Sequence, residues 1–321
     1  MKKKVIIGII ILLIIVGIII YKNFNNQAEY LIGIGQYGQH SSLDTCREGF
    51  IEGLKQEGIV EGENLKIDYQ NANFDGGTTN LIASNFATEN VDLAMGVGTP
   101  MVQALYNSLS EKDIPTIYTA VTYPEEAGLT NGNITGTSDR FLVDEQLQLI
   151  KQVLPNTSKI GVIYTTSEVN STKTVEDLKE AAANYDVEIV DKGITNAFEI
   201  QLAVDSIIND VDCFLCIIDN NVVSGLSLMI EKTNEKGIPV FGSEIEQMKL
   251  GCICGKGIDY YELGIKTGKM AAKILKGEEK ASEMEYEVVE EGTLYINSEA
   301  LEKVNIELPE EIINNAIDVI E

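Results

Sequence analysis

The sequence predicts an α/β protein with two doubly wound, Rossmann-like lobes, preceded by one N-terminal membrane-anchor helix. Three observations support this fold class. Short apolar, strand-like runs alternate with amphipathic, helix-like segments after residue 28. The alternation restarts near residue 159, so that two βαβαβ series follow each other. A long uninterrupted apolar run opens the chain.

The N-terminal run has the features of a signal-anchor. Three lysines at positions 2–4 precede the apolar segment Val5–Tyr21, which spans roughly 26 Å as a helix, enough for a thin hydrocarbon core. The positive cluster should stay in the cytoplasm. The run lacks a small-x-small cleavage site, and the first cysteine is Cys46, too late to carry a lipid. We expect an uncleaved anchor in the cell membrane with an extracellular globular domain; a cleaved signal peptide is the alternative.

Segment patterns divide the remaining chain into two α/β lobes. We assign residues 1–27 to the anchor and a polar linker, 28–147 to the first lobe and 148–256 to the second. We expect residues 257–290 to complete the first lobe and 291–321 the second. Predicted strands lie at 30–34, 64–69, 92–96, 116–121, 159–164, 187–191, 213–218, 239–242 and 251–256, and 133–136 is predicted as a short strand or a turn. Predicted helices lie at 43–58, 79–88, 100–109, 172–185, 199–208, 222–236 and 260–275. We expect the acid-rich stretch 278–291 to be a solvated connection.

Composition excludes several classes of function. The 321 residues carry 24 Lys and Arg against 50 Asp and Glu, a net charge of −26, which disfavours binding to a phosphate backbone. We expect no nucleic-acid partner. His40 is the single histidine, so a His-rich metal site cannot form and a Ser/His/Asp triad has one candidate only. We expect no cofactor, no metal and no enzymatic activity.

Two motifs suggest cofactor or metal chemistry. The segment 33–38 (GIGQYG) fits G-x-G-x-x-G after a strand. However, the helical pattern begins several residues late, and the next strand ends in Tyr69-Gln70 without an acid for a ribose. A glycine-bearing loop, with Gln36 and His40 facing a cleft, is the favoured interpretation. The pairs Cys213/Cys216 and Cys252/Cys254 lie in apolar runs where side chains alternate between faces, so we expect buried free thiols.

Polar residues follow the predicted strands where a doubly wound sheet collects its ligands. Each has an alternative role in helix capping or turns, which favour the same residue types. Their convergence from two lobes nevertheless predicts a small-molecule cleft. The residues in this group are Thr99, Thr122, Ser167, Asn170, Asp219, Asn220, Asn221, Ser243, Glu244 and Glu246.

Nearly the whole chain after residue 28 resembles the substrate-binding proteins of ABC transporters in the tryptophan/tyrosine-type family. The matching stretches occur in order along the chain. They are GFIEGLKQEGIVEGENLKIDYQNA at 49–72, GTPMVQA at 98–104, PTIYTAVTYPEEAGL at 115–129, NITGTSD at 133–139, LPNTSKIGVIYTTSEVNS at 154–171 and GKGIDYYELG at 255–264.

The resemblance implies a type I periplasmic-binding-protein fold, in which a hinge closes two lobes over an amino acid, often an aromatic one. It also implies a cognate permease and ATPase, and we expect a monomer. Two features depart from the family: no lipobox cysteine is present, and Tyr123 replaces an acid. Tyr123 could stack on a ligand ring or fill the space of a larger ligand. Carried over by position, the cleft candidates are Gln36, Thr99, Thr122, Ser138, Asp139, Ser167, Asn170, Asp219, Asn220 and Glu244.

An amino acid needs donors for its carboxylate and an acid for its ammonium. Asp219, Asp139 and Glu244 are candidates for this acid. We expect Asp219 and Asn220 to hold the ammonium or another donor group from the second lobe. Thr99, Thr122 and Ser138 are predicted to hold the carboxylate from the first lobe, with help from backbone N–H groups at helix starts. The alternatives are a membrane-tethered small-molecule sensor, which the anchor favours, and an enzyme on a flavodoxin-like fold, which lacks a nucleophile–base signature.

Overall fold

A computed structural model of the protein describes residues 30–140, 143–288 and 292–320. The first lobe is built on a six-stranded sheet in which all neighbouring strands are parallel. Its strands are β1 (Tyr30–Gln36), β2 (Leu65–Asn71), β3 (Leu93–Val97), β4 (Thr116–Thr119), β5 (Ile134–Ser138) and β11 (Glu287–Val288), in the order β11-β5-β4-β3-β1-β2. Residues of β3 and β4 are all buried, as expected when helices cover both faces of a parallel sheet.

The second lobe is built on a parallel sheet with the order β7-β6-β8-β9. Its strands are β6 (Lys159–Thr165), β7 (Glu188–Ile194), β8 (Cys213–Leu215) and β9 (Val240–Phe241). Three more strands, β10 (Cys254–Gly257), β12 (Thr293–Ile296) and β13 (Ile317–Asp318), form a second group in the order β10-β12-β13. Backbone hydrogen bonds from Gly242 to Cys254 (3.0 Å) and from Ile253 to Val240 (2.8 Å) join this group to β9.

Helices cover both sheets. The first lobe contains α1 (Ser41–Gln56), α2 (Gly76–Glu89), α3 (Thr99–Leu109) and α10 (Tyr260–Leu275). The second lobe contains α4 (Val143–Val153), α5 (Val169–Ala182), α6 (Ile200–Ile207), α7 (Asn220–Ser224), α8 (Leu226–Lys236), α9 (Ile245–Leu250), α11 (Ser298–Val304) and α12 (Glu310–Asn315). The chain therefore passes between the lobes three times, after β5, after β10 and after β11.

Helices α1 and α10 approach each other closely through two G-x-x-x-G pairs, Gly49/Gly53 and Gly264/Gly268. A Cβ atom built on Gly264 would lie 2.1 Å from the Cys46 carbonyl oxygen, and one on Gly49 would lie 2.1 Å from that of Tyr261. Such separations are impossible without backbone movement. Glycine is therefore required on both sides of this seam, which fixes α10 to the first lobe.

The structure corrects several predicted elements. The predicted helix 222–236 is two helices, α7 and α8, which meet at Gly225. The strand predicted at 213–218 ends at Leu215, and the strand predicted at 116–121 ends at Thr119, before Ala120 adopts a φ of +55°. Part of the supposedly solvated stretch 278–291 pairs with β5 as strand β11.

The predicted membrane anchor at residues 1–27 lies outside the described residues. Among the described residues, none of the helices combines the length and the apolar character that crossing a membrane requires.

Candidate ligand-binding site

A small cavity lies between the two lobes, with about 270 Å³ of space not occupied by atoms. The first lobe contributes His40, Leu43, Ala120, Thr122, Asp139 and Tyr260, and the second contributes Asn170, Ile218, Asp219, Asn220, Val223 and Glu244. Only about 10 Å³ of this space is open to the centre of a water-sized sphere, which is room for about one water molecule. A larger ligand therefore requires the lobes to separate from this closed position.

The cavity residues stand at strand ends and helix starts, because both parallel sheets direct their carboxyl ends toward it. Helices α1, α5 and α10, of 14 to 16 residues, begin at the cavity with His40, Asn170 and Tyr260 at or near their first turns. Their N-terminal ends carry partial positive charge and N–H groups without intrahelical partners. Anionic groups, whether side chains or a ligand carboxylate, are favoured in this position.

Hydrogen bonds cross the cavity from one lobe to the other. The Ser42 hydroxyl on α1 donates to Glu244 Oε1 at 2.7 Å. The His40 Nε2 atom lies 3.4 Å from Asn220 Oδ1. These contacts hold the lobes together around the cavity, so that the described conformation is a closed one.

Three carboxylates line the cavity, and no Lys or Arg does so among the described residues. Burial raises the pKa of Asp139, which is completely inaccessible. Burial also raises the pKa of Glu244 to about 8. Removing a carboxylate from water favours its protonated form unless a cation compensates. The site thus carries acids that a ligand cation would stabilise.

Glu168 is a fourth buried acid, just behind the cavity wall. Its Oε2 atom accepts from the Asn220 side-chain amide at 2.5 Å, and its Oε1 atom accepts from that of Asn221 at 3.0 Å. Burial and the negative charge of Asp219 raise the pKa of Glu168 to about 8. Glu168 therefore orients the start of α7, and sequence analysis missed it. The sequence feature that pointed to Glu168 was its position directly before α5, between the predicted site residues Ser167 and Asn170.

Asp219 uses both of its carboxylate oxygens within the protein. Its Oδ2 atom accepts from the Thr165 backbone N–H at 2.5 Å, and its Oδ1 atom accepts from the Thr165 hydroxyl (2.8 Å) and the Val222 N–H (2.9 Å). Asp219 is thus the N-cap of α7 as well as a lining residue. Its predicted contact with a ligand ammonium stays a prediction, and other residues have more acceptor capacity free.

Three buried polar atoms on this lining have no hydrogen-bond partner: His40 Nδ1, Asp139 Oδ1 and Asn170 Oδ1. Buried polar groups without partners are rare in native proteins, because leaving one unpaired costs about 1–3 kcal/mol. Their concentration on one small cavity indicates a polar ligand.

The structure places six of the ten predicted site residues on the cavity lining. These are Thr122, Asp139, Asn170, Asp219, Asn220 and Glu244. The four others lie elsewhere. Gln36 accepts from Arg47 and donates to Asp44 within the first lobe, and the Ser138 hydroxyl donates to the Thr122 carbonyl. Ser167 lines a separate groove, and Thr99 is buried without lining the cavity. The lining residue Tyr260 was not predicted, whereas His40, which is outside the ten candidates, lines the cavity as the glycine-loop interpretation predicted.

Tyr123 does not line the cavity, so it neither stacks on a ligand there nor fills the ligand's space. Its hydroxyl donates to Asp177 Oδ2 on α5 of the second lobe at 2.8 Å. The Arg140 guanidinium lies 5.5 Å from the centre of the Tyr123 ring. Tyr123 is a contact between the lobes at the edge of the closed cleft.

The glycine motif and the cysteines are part of the packing. A Cβ atom on Gly33 would lie 2.7 Å from the Phe86 ring, and one on Gly38 would lie 1.9 Å from the Phe74 ring. These glycines are needed for close packing against aromatic side chains. All five cysteines are buried and outside disulfides, and burial raises the pKa of the Cys46 thiol. The absence of a bound metal stays a prediction.

The fold and the cavity define a two-lobed protein that closes over a small polar ligand. The family model for ABC transporter substrate-binding proteins matches residues 31–320, and the chain belongs to this family. It is similar to a tyrosine-binding protein of Clostridioides difficile, with 38% identity over 89% of this chain and 84% of the relative. Solute-binding proteins at 13–16% identity share the fold alone, which is that of type I periplasmic-binding proteins.

Two solved structures bear on the closed conformation. The chain is similar to a Streptococcus ABC domain in complex with L-Trp, with 30% identity, a TM-score of 0.87, and coverage of 90% of this chain and 99% of the other. It is also similar to the ligand-free, open structure of an adhesive substrate-binding protein from Clostridium difficile, with 38% identity and the same coverage, but a TM-score of 0.68.

Proposed function

We propose that this protein captures a free amino acid, with an aromatic amino acid as the first candidate, and delivers it to an ABC importer. The observation that carries the proposal is the closed cavity with several acids, unpaired acceptors and helix N-termini. Amino-acid relatives support the same ligand class: one is named a tyrosine-binding protein, and another was solved with L-Trp. We infer that the protein binds its ligand without converting it chemically.

The opposite charges of an amino acid fit the two kinds of group at the cavity. Acidic and neutral acceptors on the lining suit the ammonium group. Because no Lys or Arg lines the cavity among the described residues, the ligand carboxylate would rely on the N–H groups at the helix starts. A net neutral zwitterion is therefore a better ligand than an anion such as a phosphate ester.

The transport role requires a permease and an ATPase as partners and an extracytoplasmic position. We propose that residues 5–21 anchor the chain in the cell membrane, because three lysines precede this apolar run and no cleavage site follows it. N-terminal sequencing of protein extracted from membranes tests this anchor, and a mature N-terminus beyond residue 21 would exclude it.

The ligand class can be tested by a thermal-shift screen of the folded domain against the twenty amino acids, nucleosides, myo-inositol and small peptides. Binding to the native state stabilises it by about 2.7 kcal/mol when the ligand is present at one hundred times its Kd. We expect L-tyrosine or L-tryptophan to raise the melting temperature most. Selective stabilisation by a sugar or a nucleoside, with no response to any amino acid, would contradict the proposal.

Tyr123→Phe is expected to weaken ligand binding by about three- to tenfold without contacting the ligand. The substitution removes the hydrogen bond to Asp177, which joins the two lobes in the closed conformation and which opening the cleft would break; one such bond contributes about 1 kcal/mol. Titration calorimetry with the amino acid selected by the screen measures the effect. Tyr69→Phe is the matched control, because the Tyr69 hydroxyl contacts only first-lobe residues, Gln36 and Asn71. An equal loss of affinity in both variants would show that the Tyr123 hydroxyl has no specific role in closing the lobes.

A further inference from the structure

We infer that the first lobe contains a second ligand site, a pocket at the outer edge of β5, which binds a small uncharged molecule with a hydrogen-bonding group at each end of an apolar body. The pocket is separate from the cavity between the lobes, since none of the described residues lines both. The inference is independent of the proposed function, because it uses none of the cavity residues.

The pocket lies where the edge of β5 is only partly paired. Strand β11 pairs with β5 at Thr137 and Ser138, and the segment 281–286 passes beside the earlier residues of β5. About 440 Å³ of the space between them is open to the centre of a water-sized sphere. This volume lies within the range of about 300–1,000 Å³ that is typical of small-molecule sites.

The segment that forms the outer wall of the pocket is fixed at both ends. Ala281, at its start, is buried. At its other end the Tyr286 hydroxyl donates to Glu125, and the next two residues pair with β5 as strand β11. The protein therefore holds this wall in place by itself, and the pocket is formed before any ligand arrives.

Tyr118 brings one unpaired hydroxyl to the pocket. Its side chain is completely buried, and its ring lies across β5 over Gly136, where a Cβ atom would lie 2.6 Å from the ring. The nearby Glu125 is committed to Tyr286 and Arg140, and the Tyr118 hydroxyl has no partner among the described residues. Burial raises the pKa of Tyr118, so the phenol stays protonated as a donor that lacks an acceptor.

Thr135 brings a second unpaired hydroxyl from the other face of the sheet. It precedes Gly136 on β5, and successive side chains of a strand point to opposite faces. Only 1% of Thr135 is exposed, and its Oγ1 atom has no partner in the described part of the chain. The two hydroxyls therefore reach the pocket from opposite sides of the β5 edge, and a molecule that pairs with both needs two separated polar groups.

The rest of the lining defines the character of the ligand. Leu129, Ile134 and the tyrosine rings form apolar walls, which favour an apolar body. Glu283 and Glu285 are exposed acids of the lining, and no Lys or Arg belongs to it among the described residues, so an anion is disfavoured. An ammonium group cannot accept a hydrogen bond from the Tyr118 phenol, whereas an alcohol both donates and accepts.

The test uses four compounds built on one benzene ring: 1,4-benzenedimethanol, 4-methylbenzyl alcohol, 4-(hydroxymethyl)benzoate and 4-(hydroxymethyl)benzylamine. NMR of the full chain with carbon-13 in its methionine methyl groups reports binding, because Met284 lines the pocket and Met248, in the core of the second lobe, is an internal control. We expect the diol to shift the Met284 signal saturably, with a Kd on the order of 1 mM. Loss of one hydroxyl should weaken binding about three- to tenfold, and its replacement by a carboxylate or an amine about tenfold or more.

Removing either hydroxyl from the protein tests the same contacts from the other side. Tyr118→Phe and Thr135→Val should each weaken binding of the diol about three- to tenfold. They should leave the melting temperature of the free protein unchanged or raise it, because neither hydroxyl has a partner among the described residues. Thr157→Val is the matched control, since Thr157 is also buried with an unpaired hydroxyl but lies outside this pocket, and it should leave diol binding unchanged.

The outcomes separate this site from the cavity between the lobes. A Met284 shift that persists when the amino acid selected by the screen is present at saturation supports the second site, and loss of the shift would place the compound in the cavity instead. The inference is also overturned if the diol leaves Met284 unchanged, if the carboxylate or the amine binds more tightly than the diol, or if Thr135→Val and Thr157→Val lose equal affinity. The compound series is decisive where a variant does not fold. If no amino acid binds, the proposed function fails while the Met284 titration still tests this pocket.

Discussion

Gly264→Ala is expected to lower the free energy of unfolding by about 2–3 kcal/mol. The new methyl group would lie 2.1 Å from the Cys46 carbonyl oxygen and 2.8 Å from the Phe50 backbone nitrogen. Both atoms belong to the backbone of α1, so a rotamer change cannot relieve the contact, and α1 and α10 must separate. The chain crosses from the second lobe to the first between β10 and α10. Separating α10 from α1 would therefore also weaken the hold of the first lobe on this crossing.

Gly76→Ala is the matched control for this prediction. Gly76 opens α2, and a Cβ atom there has no neighbour within 4 Å. Alanine is intrinsically the better helix former, by up to about 1 kcal/mol, so that Gly76→Ala should leave stability unchanged or raise it slightly. Urea unfolding of both variants measures the difference. Equal stability of the two variants would show that the seam between α1 and α10 tolerates a wider spacing.

The ligand-free protein is expected to lose stability as pH rises from about 4.5 to 8. Burial raises the pKa of Glu244 and Glu168 to about 8 in the folded state, whereas both ionise near 4.3 in the unfolded chain. Between these values the native state binds more protons than the unfolded state. Stability therefore falls with rising pH, by up to about 1.4 kcal/mol per pH unit for each group.

Denaturant unfolding between pH 5 and pH 8 at constant ionic strength tests this expectation. Glu244→Gln removes one of the two titrations and should make the pH dependence shallower. Glu199→Gln is the control, because hydrogen bonds from Thr195 lower the pKa of this exposed carboxyl, and its contribution is lost only in more acidic solution. If Glu244→Gln leaves the slope unchanged, the self-repulsion of a chain with a net charge of −26 is the cause instead.

Strand and helix patterns predicted most of the elements because parallel strands such as β3 are apolar throughout and helices such as α10 have a clear apolar face. Helix α4 lay outside the predicted elements, although Leu147 and Ile150 are apolar positions on one helical face. The pairing of β11 could not be predicted, since two residues, Glu287 and Val288, carry no periodic signal. Its partner β5 lies about 150 positions earlier in the chain.

The candidate site was predictable in position but less so in detail. Strand ends indicated Asp219, Asn220 and Glu244, all of which line the cavity, because strand order alone brings them to one edge. Which of their atoms remain free depends on side-chain geometry. Asp139 and Asp219 look equivalent in the sequence, yet one keeps an unpaired oxygen and the other caps a helix. Conversely, Gln36 lies at the end of a first-lobe strand, where cavity residues were expected. Its side-chain oxygen nevertheless accepts a hydrogen bond from Arg47 and does not line the cavity.

The three crossings between the lobes have a consequence for how the chain folds. Neither lobe is a continuous stretch of sequence: the first needs α10 and β11 from the C-terminal quarter, and the second needs β12 and β13 after them. A chain emerging from the ribosome would expose the α1 face that α10 later covers until more than 200 further residues had been made. Contacts with such large sequence separation form slowly. We therefore expect long-lived folding intermediates with exposed apolar surface, and a strong dependence on molecular chaperones.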